Sequence, residues 1–161
     1  MVKSMILGID PGAHGAFAFL NKSGKVVEIV DMPTIKVKVN GKDRDRVSSA
    51  LIVSLLKPYA AEIELAVLEQ VGGLTGQSAS AAFTFGYSCG MVEGVLSALE
   101  IPVKLVTPQT WKKSFGLNKD KGLSRQMAIR LWPEKAELFK RVADADRAEA
   151  ALIAKWGIGA P

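Results

Sequence analysis

The stretch Met5-Ile6-Leu7-Gly8-Ile9-Asp10-Pro11-Gly12 decides the fold. Its five apolar residues lack helical spacing and predict a strand that is buried on both faces. The Pro-Gly pair predicts a turn directly afterwards. Asp10 stands between the two, either as a turn residue that hydrogen-bonds its own backbone or as a functional carboxylate. This stretch alone favours neither reading.

The residues that follow predict two more strands. Residues 16–20 form a second apolar run, and the polar turn at residues 21–24 leads into a third run at residues 26–30. Short turns between such runs are typical of antiparallel pairing. We therefore expect a meander of three antiparallel strands.

A further apolar run, like the first, is followed directly by an acid. Residues 65–68 are continuously apolar and are followed by Glu69 and a glycine-rich loop at residues 71–76. A further strand is predicted at residues 101–106. Ligands of open α/β sheets bind beyond the carboxyl ends of the strands. Asp10 and Glu69 could therefore face each other at one edge of a sheet.

Helical spacing and propensity predict five helices, over residues 47–59, 78–100, 108–115, 124–132 and 142–156. The second carries an apolar stripe that we expect to lie in the core, formed by Phe83, Tyr87, Met91, Val95 and Leu99. Glycines repeat along the same helix at Gly86, Gly90 and Gly94. Each glycine weakens a helix, so we expect close backbone packing there, either on the sheet or across a two-fold dimer.

The composition is that of one ordinary domain. The chain has 161 residues, of which 48% are hydrophobic and 23% charged, and we expect a single domain over residues 1–161. No apolar run approaches the roughly 20 residues of a membrane helix, and the first residues do not resemble a secretory signal. We expect a cytoplasmic protein with no membrane partner. Cys89 and His14 are the sole cysteine and histidine, which excludes an internal disulfide and a two-histidine metal site.

The formal net charge is +5, and the basic residues crowd two stretches. The first covers residues 36–46. The second contains Lys112, Lys113, Lys119, Lys121, Arg125 and Arg130. Both suit a phosphate backbone, although a solvated surface explains basic clusters equally well.

The last predicted helix begins with three acids. Asp146 and Glu149 are three residues apart and share a face that Ile153 and Trp156 continue as an apolar stripe. Asp144 points elsewhere and is expected to cap the helix. Burying two carboxylates costs several kcal/mol per ion unless cations compensate. A metal site explains them better, and an all-oxygen site suits Mg²⁺ or Mn²⁺.

Four acids then come from two strand ends and one helix in a basic protein. Such a set could hold two ions about 3.5 to 4 Å apart, which would activate a water and stabilise the leaving oxygen of a phosphodiester. The hypothesis is hydrolysis of a nucleic-acid backbone. No small-molecule cofactor is expected.

Three motifs resemble RuvC-type Holliday junction resolvases of the RNase H-like superfamily. They are the opening strand with Asp10, Val67-Leu68-Glu69, and the pair Asp146 and Glu149 before Ala-Ala-Leu-Ile-Ala. The resemblance implies an α/β fold with a mixed five-stranded sheet flanked by helices. It also implies a homodimer that nicks a four-way DNA junction in symmetric pairs with Mg²⁺ or Mn²⁺. The implied catalytic and metal-binding residues are Asp10, Glu69, Asp146 and Glu149.

The stretch Val106-Thr107-Pro108-Gln109-Thr110-Trp111-Lys112-Lys113 resembles the phage and prophage branch of these proteins. From the second basic stretch we expect DNA to be bound by Lys112, Lys113, Lys119, Lys121 and Arg125. The resemblance implies active-site basic residues that match Lys112 or Lys113 and one of Lys119 and Lys121.

The chain departs from the family at two places. The family usually ends its acid set with two aspartates, whereas this chain has Glu149, so Asp144 is the alternative fourth ligand. The family's aromatic wedge is replaced by Gly72-Gly73, so junction opening would rely on Leu74 or on Phe83 and Phe85.

Other functions remain open from the sequence. Sugar kinases and actin-like ATPases open with a similar strand and turn, but they need a second lobe. A non-catalytic junction-binding protein would have no reason to hold four carboxylates inward. A related RNase H-like nuclease acting on branched DNA, RNA or RNA–DNA hybrids differs only in its substrate.

Overall fold

The computed structural model describes residues 4–70, 72 and 76–160. Its strands are Met5–Asp10 (β1), Ala16–Asn21 (β2), Val26–Asp31 (β3), Thr34–Val39 (β4), Lys42–Val47 (β5), Ile63–Glu69 (β6) and Val103–Val106 (β7). Its α-helices are Ser49–Leu56 (α1), Ala79–Ala98 (α2), Pro108–Ser114 (α3), Lys121–Leu131 (α4) and Ala145–Gly159 (α5). Short 3₁₀ turns cover Lys57–Tyr59, Pro133–Leu138 and Val142–Asp144.

Five strands form one mixed sheet in the order β3-β2-β1-β6-β7. The first three strands pair antiparallel, and β6 and β7 continue from β1 in parallel. The predicted fold class is therefore confirmed, including the meander. Among the described residues, no helix combines the length and the apolar character needed to span a bilayer.

The sheet has a hydrophobic core on each face, because successive strand residues point to opposite sides. Ile6 belongs to the core on the side of α5, together with Leu152. Leu7 belongs to the opposite core, together with Ile52 of α1 and Leu96 of α2. The central strands are buried between these two layers, as their continuous apolar runs predict.

Glycines let α5 lie directly on the sheet. A Cβ atom at Gly8 of β1 would overlap the backbone of Ala150 and Ala154 in α5. A Cβ atom at Gly157 would lie 2.5 Å from the side chain of Val67 in β6. Both contacts fix the depth at which α5 packs, and with it the position of the acids that α5 carries.

The first basic stretch forms a β-hairpin, which is not among the predicted elements. Strands β4 and β5 pair with each other as a separate two-stranded sheet. Asn40 and Gly41 connect them with φ values of 51° and 75°. Two successive positive φ angles are characteristic of a type I′ turn, for which Asn-Gly is the preferred sequence.

The apolar stripe of α2 reaches the core only at its carboxyl-terminal half. Val95 is buried, but Phe83 is 74% exposed and Tyr87 is 44% exposed. The expectation that these two aromatic residues lie in the core is wrong. A Cβ atom at Gly86, Gly90 or Gly94 would meet nothing within 4 Å, so among the described residues these glycines do not serve packing on the sheet.

Helix α4 begins earlier than its apolar spacing predicts. Asp120 caps it by accepting a hydrogen bond from the Gly122 amide at 2.8 Å. Lys121 therefore belongs to the first turn of a helix and not to the predicted basic loop. The helix fixes the direction in which its side chain leaves the backbone.

Candidate active site

Two of the predicted site residues end neighbouring strands. Asp10 is the last residue of β1, and Glu69 is the last residue of β6. These strands pair in parallel, with Ile9 opposite Leu68. Both carboxylates therefore emerge at the same edge of the sheet, where each is more than nine-tenths buried.

Helix α5 brings two more acids to this edge. Carboxylate oxygens of Asp10, Asp146 and Glu149 all lie within 4.8 Å of one another. Glu69 is outside this close group, although it lines the same cleft. The three grouped acids have the donor chemistry and the spacing to hold a divalent metal ion.

Glu69 is held by a buried tryptophan, Trp111, which is not among the predicted site residues. The indole Nε1 of Trp111 in α3 donates to Oε2 of Glu69 at 2.6 Å. Trp111 is fully buried. Burial raises the pKa of Glu69, and this hydrogen bond opposes the rise. Trp111 therefore orients one oxygen of Glu69 and favours its ionised form.

Two lysines neutralise the acids from inside the site. Lys112 Nζ lies 3.1 Å from Oε1 of Glu149, and Ser124 donates to the same oxygen at 3.2 Å. Lys121 forms an ion pair with Asp146 and lies 3.7 Å from Oε2 of Glu149. Without DNA, the predicted DNA contacts Lys112 and Lys121 are thus paired with acids.

The electrostatics of the group favour binding of a further cation. Burial raises the pKa of Asp10 well above its ordinary value, and Glu69, Asp146 and Glu149 raise it further. Burial acts to lower the pKa of Lys121, but the hydrogen bond to Asp146 and the negative charges of Glu149, Asp146 and Asp10 together outweigh that effect, so the pKa is raised. These shifts reflect negative charge that is crowded into a buried site. A divalent ion would offset the repulsion between the carboxylates.

Asp144 does not join the group. It stands at the N-cap position of α5, as predicted, but its side chain makes no capping hydrogen bond. Instead it is buried and accepts hydrogen bonds from Arg141, at 2.9 Å from the backbone amide and 2.8 Å from Nη2. Arg147 Nη1 lies 3.6 Å away. Asp144 thus belongs to an arginine network, and the grouped acid is Glu149.

A cleft of about 1120 Å³ opens over these acids. Of the other predicted DNA contacts, Lys113 and Lys119 line it. Arg125 does not, because its guanidinium donates to the Lys140 carbonyl at 2.6 Å. Phe85 lines the cleft, whereas Leu74 lies outside the described residues.

The chain is similar to known proteins in part of its sequence and in its fold. No protein-family model matches the chain. The chain is 32% identical over 89 residues to the chloroplastic Holliday junction resolvase MOC1 of Chlamydomonas reinhardtii. That match covers 54% of this chain but only 10% of the length of MOC1.

Solved structures match nearly the whole chain. RuvC of T. thermophilus, in complex with a Holliday junction substrate, superposes with a TM-score of 0.63 at 15% identity, over 96% of this chain and 94% of that one. The yeast mitochondrial Holliday junction resolvase Ydc2 gives 0.55 at 20% identity, over 97% and 78%. The phage-like branch stays a prediction. The likeness to RuvC-type resolvases that the sequence motifs indicate is confirmed for the fold, and the chain has the RNase H-like fold of RuvC.

Proposed function

We propose that this chain is a Holliday junction resolvase, a structure-selective endodeoxyribonuclease that places paired symmetric nicks across a four-way DNA junction. The observation that carries the proposal is the group of Asp10, Asp146 and Glu149, with oxygens within 4.8 Å of one another, on the floor of a lysine-lined cleft. The fold shared with RuvC and the sequence similarity to MOC1 support the same activity. The chain would act as one domain.

The proposed catalytic residues are Asp10, Glu69, Asp146 and Glu149, which would hold Mg²⁺ or Mn²⁺, two ions per site. Their all-oxygen donor set fits these hard cations. When bound, the ions would supply activation of a water and stabilisation of the leaving oxygen of the phosphodiester. Two of the acids are fixed by β-strand pairing and two by a helix, so the group is preorganised on rigid elements.

The neighbouring residues orient these acids. Trp111 holds Oε2 of Glu69, while Lys112 and Ser124 hold Oε1 of Glu149. Lys121 is 54% exposed at its side chain and can turn from Asp146 toward a DNA phosphate. Its release would open the carboxylates to a metal ion as DNA arrives.

The cleft surface provides the proposed DNA contacts. Lys113 and Lys119 line the cleft and would meet phosphates there. Arg125 would contribute by holding the loop at Lys140, to which it already donates. Phe85 lines the cleft and is the better wedge candidate than Phe83, which points into solvent.

A homodimer would supply the two symmetric active sites that paired nicks require. We propose the exposed face of α2 as its interface, because Gly86, Gly90 and Gly94 leave room there for close approach of a second backbone. Light scattering after size-exclusion chromatography tests this interface. The wild-type chain should have the mass of a dimer and the Gly90→Leu variant that of a monomer.

The decisive experiment is cleavage of an end-labelled synthetic four-way junction in Mg²⁺ and in Mn²⁺, with linear duplex, flap and RNA–DNA hybrid as substrates for comparison. Wild-type protein should make paired symmetric nicks on the junction alone. Asp10→Asn should abolish them, because it removes a metal-binding oxygen. Asp144→Asn makes the same chemical change at a buried aspartate outside the group and should leave cutting intact.

Three outcomes would contradict the proposal. Equal cutting of linear duplex would indicate a nuclease without structure selectivity, and preferred cutting of the hybrid would indicate an RNase H-like activity. Tight junction binding without metal-dependent cutting by the wild-type chain would indicate a non-catalytic junction-binding protein.

A further inference from the structure

The hairpin of β4 and β5 has two chemically different faces. Side chains alternate between the faces of a strand, and directly opposed residues of an antiparallel pair share a face. On one face, Lys36 opposes Asp45 and Lys38 opposes Asp43. We call this the paired face. Its lysines form ion pairs of 2.6 Å and 3.4 Å with these aspartates, so their charge is largely neutralised.

The other face, which we call the open face, carries cations without acids. Its opposed pairs are Ile35 with Arg46, Val37 with Arg44, and Val39 with Lys42. Among the described residues, no acidic oxygen lies within 4 Å of Lys42, Arg44 or Arg46, as the ion pairs found there all involve other cations. All three cations are exposed.

The open face contacts helix α2, which also contributes a residue to the cleft. Arg46 donates to the hydroxyl of Tyr87 at 2.9 Å, and its guanidinium is 5.0 Å from the centre of that ring. Tyr87 is two residues from Phe85, which lines the cleft. On the paired face, the pKa of Asp45 is lowered mainly by its hydrogen bond from Lys36 and, to a smaller extent, by His14, which lines the cleft.

We propose that the open face of this hairpin binds the phosphate backbone of a duplex arm that leaves the cleft, through Lys42, Arg44 and Arg46. The inference rests on the proposed function for the identity of the DNA. Charge complementarity carries it, because this face keeps a row of unneutralised cations while the opposite face neutralises its own. Side chains two residues apart in a strand are about 7 Å apart, so the row is about 13 Å long, or about four base-pair steps.

The aliphatic residues of this face support the same partner. Ile35 is 47% exposed and Val39 is 50% exposed, each next to a cation on the opposite strand. Such side chains keep the stems of the basic residues apart from water and hold their charged ends outward. The face can therefore follow a sugar-phosphate backbone without reading bases, which suits recognition of DNA by shape.

Two double variants with the same change in net charge test the proposal. Lys42→Gln with Arg44→Gln alters the open face, and Lys36→Gln with Lys38→Gln alters the paired face. The affinity of each for a labelled junction and for a linear duplex is measured by fluorescence anisotropy in EDTA over a salt series. Losing two phosphate contacts should reduce the slope of log K against log salt concentration by about 1.8. At about 0.1 M salt, this corresponds to up to about 60-fold weaker binding.

The paired-face variant should bind within about twofold of the wild type. Lys42→Arg with Arg44→Lys keeps both charges and should bind as the wild type does, which separates charge from folding. Equal weakening by both neutralised variants, or an unchanged slope in the open-face variant, overturns the proposal. Binding of anionic lipid vesicles by the open face, with unchanged DNA affinity, also overturns it.

Cleavage by the wild-type chain on the same junction separates this inference from the proposed function. If the wild type does not cut, yet the open-face variant loses DNA affinity, the resolvase proposal fails and the hairpin remains a DNA contact. If the wild type cuts and the open-face variant binds as tightly, the hairpin inference alone fails.

Discussion

Replacing Trp111 with phenylalanine tests how strongly the buried indole stabilises ionised Glu69. The smaller ring keeps an aromatic side chain in the core but removes the indole N–H that donates to Oε2 of Glu69 at 2.6 Å. Because Trp111 is fully buried, water cannot replace the lost hydrogen bond easily. The substitution therefore acts directly on a proposed metal ligand without touching a carboxylate.

The size of the effect follows from the charge of the acceptor. A hydrogen bond to a charged group is worth about 1.5 to 3 kcal/mol, and losing it raises the pKa of Glu69 further. For a chain of this length, the loss would lower Tm by about 3 to 12 °C at neutral pH. The gap left by the smaller ring adds a cost that does not vary with pH.

The pH dependence has a definite sign. Burial already raises the pKa of Glu69 above its ordinary value of 4.5, so ionised Glu69 opposes folding as the pH rises through that pKa. Trp111→Phe raises the pKa further. Its destabilising effect should therefore be largest above the pKa of Glu69 and should shrink as the pH falls below that pKa, because the carboxyl is then protonated in the folded form of both wild type and variant.

Urea unfolding in EDTA, from about pH 4.5 to about pH 8, measures this dependence. Trp132→Phe is the matched control. Its indole is also buried and donates at 2.8 Å, but to the neutral carbonyl of Gly24. We expect Trp132→Phe to lower the free energy of unfolding by an amount that does not change with pH. If the loss at Trp111 were equally constant across the series, the reasoning about ionised Glu69 would be refuted.

Three further substitutions and one control probe the site and its support. Asp10→Asn should raise Tm in EDTA near neutral pH, because the raised pKa of Asp10 means that its ionised form destabilises the metal-free fold. The same substitution should remove the rise in Tm that Mg²⁺ is expected to cause in the wild type. Gly8→Ala should lower the free energy of unfolding in urea by about 3 kcal/mol or more, because the added methyl group would overlap the backbone of α5. Gly159→Ala should lower it little, because a Cβ atom there meets nothing within 4 Å. Asp144→Asn should cost only about 1 kcal/mol, because Arg141 is 64% exposed and solvent screens the pair. Its loss of stability should disappear as the pH falls through the lowered pKa of Asp144, and its Mg²⁺ response should equal that of the wild type in a thermal-shift assay.

The strands and the edge where the acids meet could be predicted from local sequence. The apolar runs before Asp10 and Glu69 are continuous, so burial on both faces and the position of each acid at a strand end follow together. The shared helical face of Asp146 and Glu149 follows from their spacing alone. These features need no knowledge of distant contacts.

The partners of the acids could not be predicted in this way. Trp111 and Glu69 are 42 residues apart, and their contact depends on how α3 packs against β6. Lys112 looks like a surface cation in the sequence, yet its side chain is 14% exposed because it follows the buried Trp111 into the site. Charge in a sequence does not state which way a side chain points.

The hairpin is a different case, because its sequence contains a sufficient indication. Asn40-Gly41 stands between two stretches that alternate in character, which is the strongest short-range pattern for a two-residue hairpin. The density of charged residues conceals the alternation, since lysine and aspartate occupy one face and valine and arginine the other. Classifying these residues only as basic hides the strands.

The lysines paired with the acids limit how many metal ions the proposed site can hold before DNA binds. Asp10, Glu69, Asp146 and Glu149, with Lys112 and Lys121 among them, leave a charge of minus two when all are ionised, which one divalent ion balances. A second ion would then need the negative charge of a DNA phosphate. We expect full metal loading and DNA binding to be thermodynamically linked, so that each strengthens the other by the same factor. Such linkage would keep the proposed nuclease site incomplete until DNA is in place.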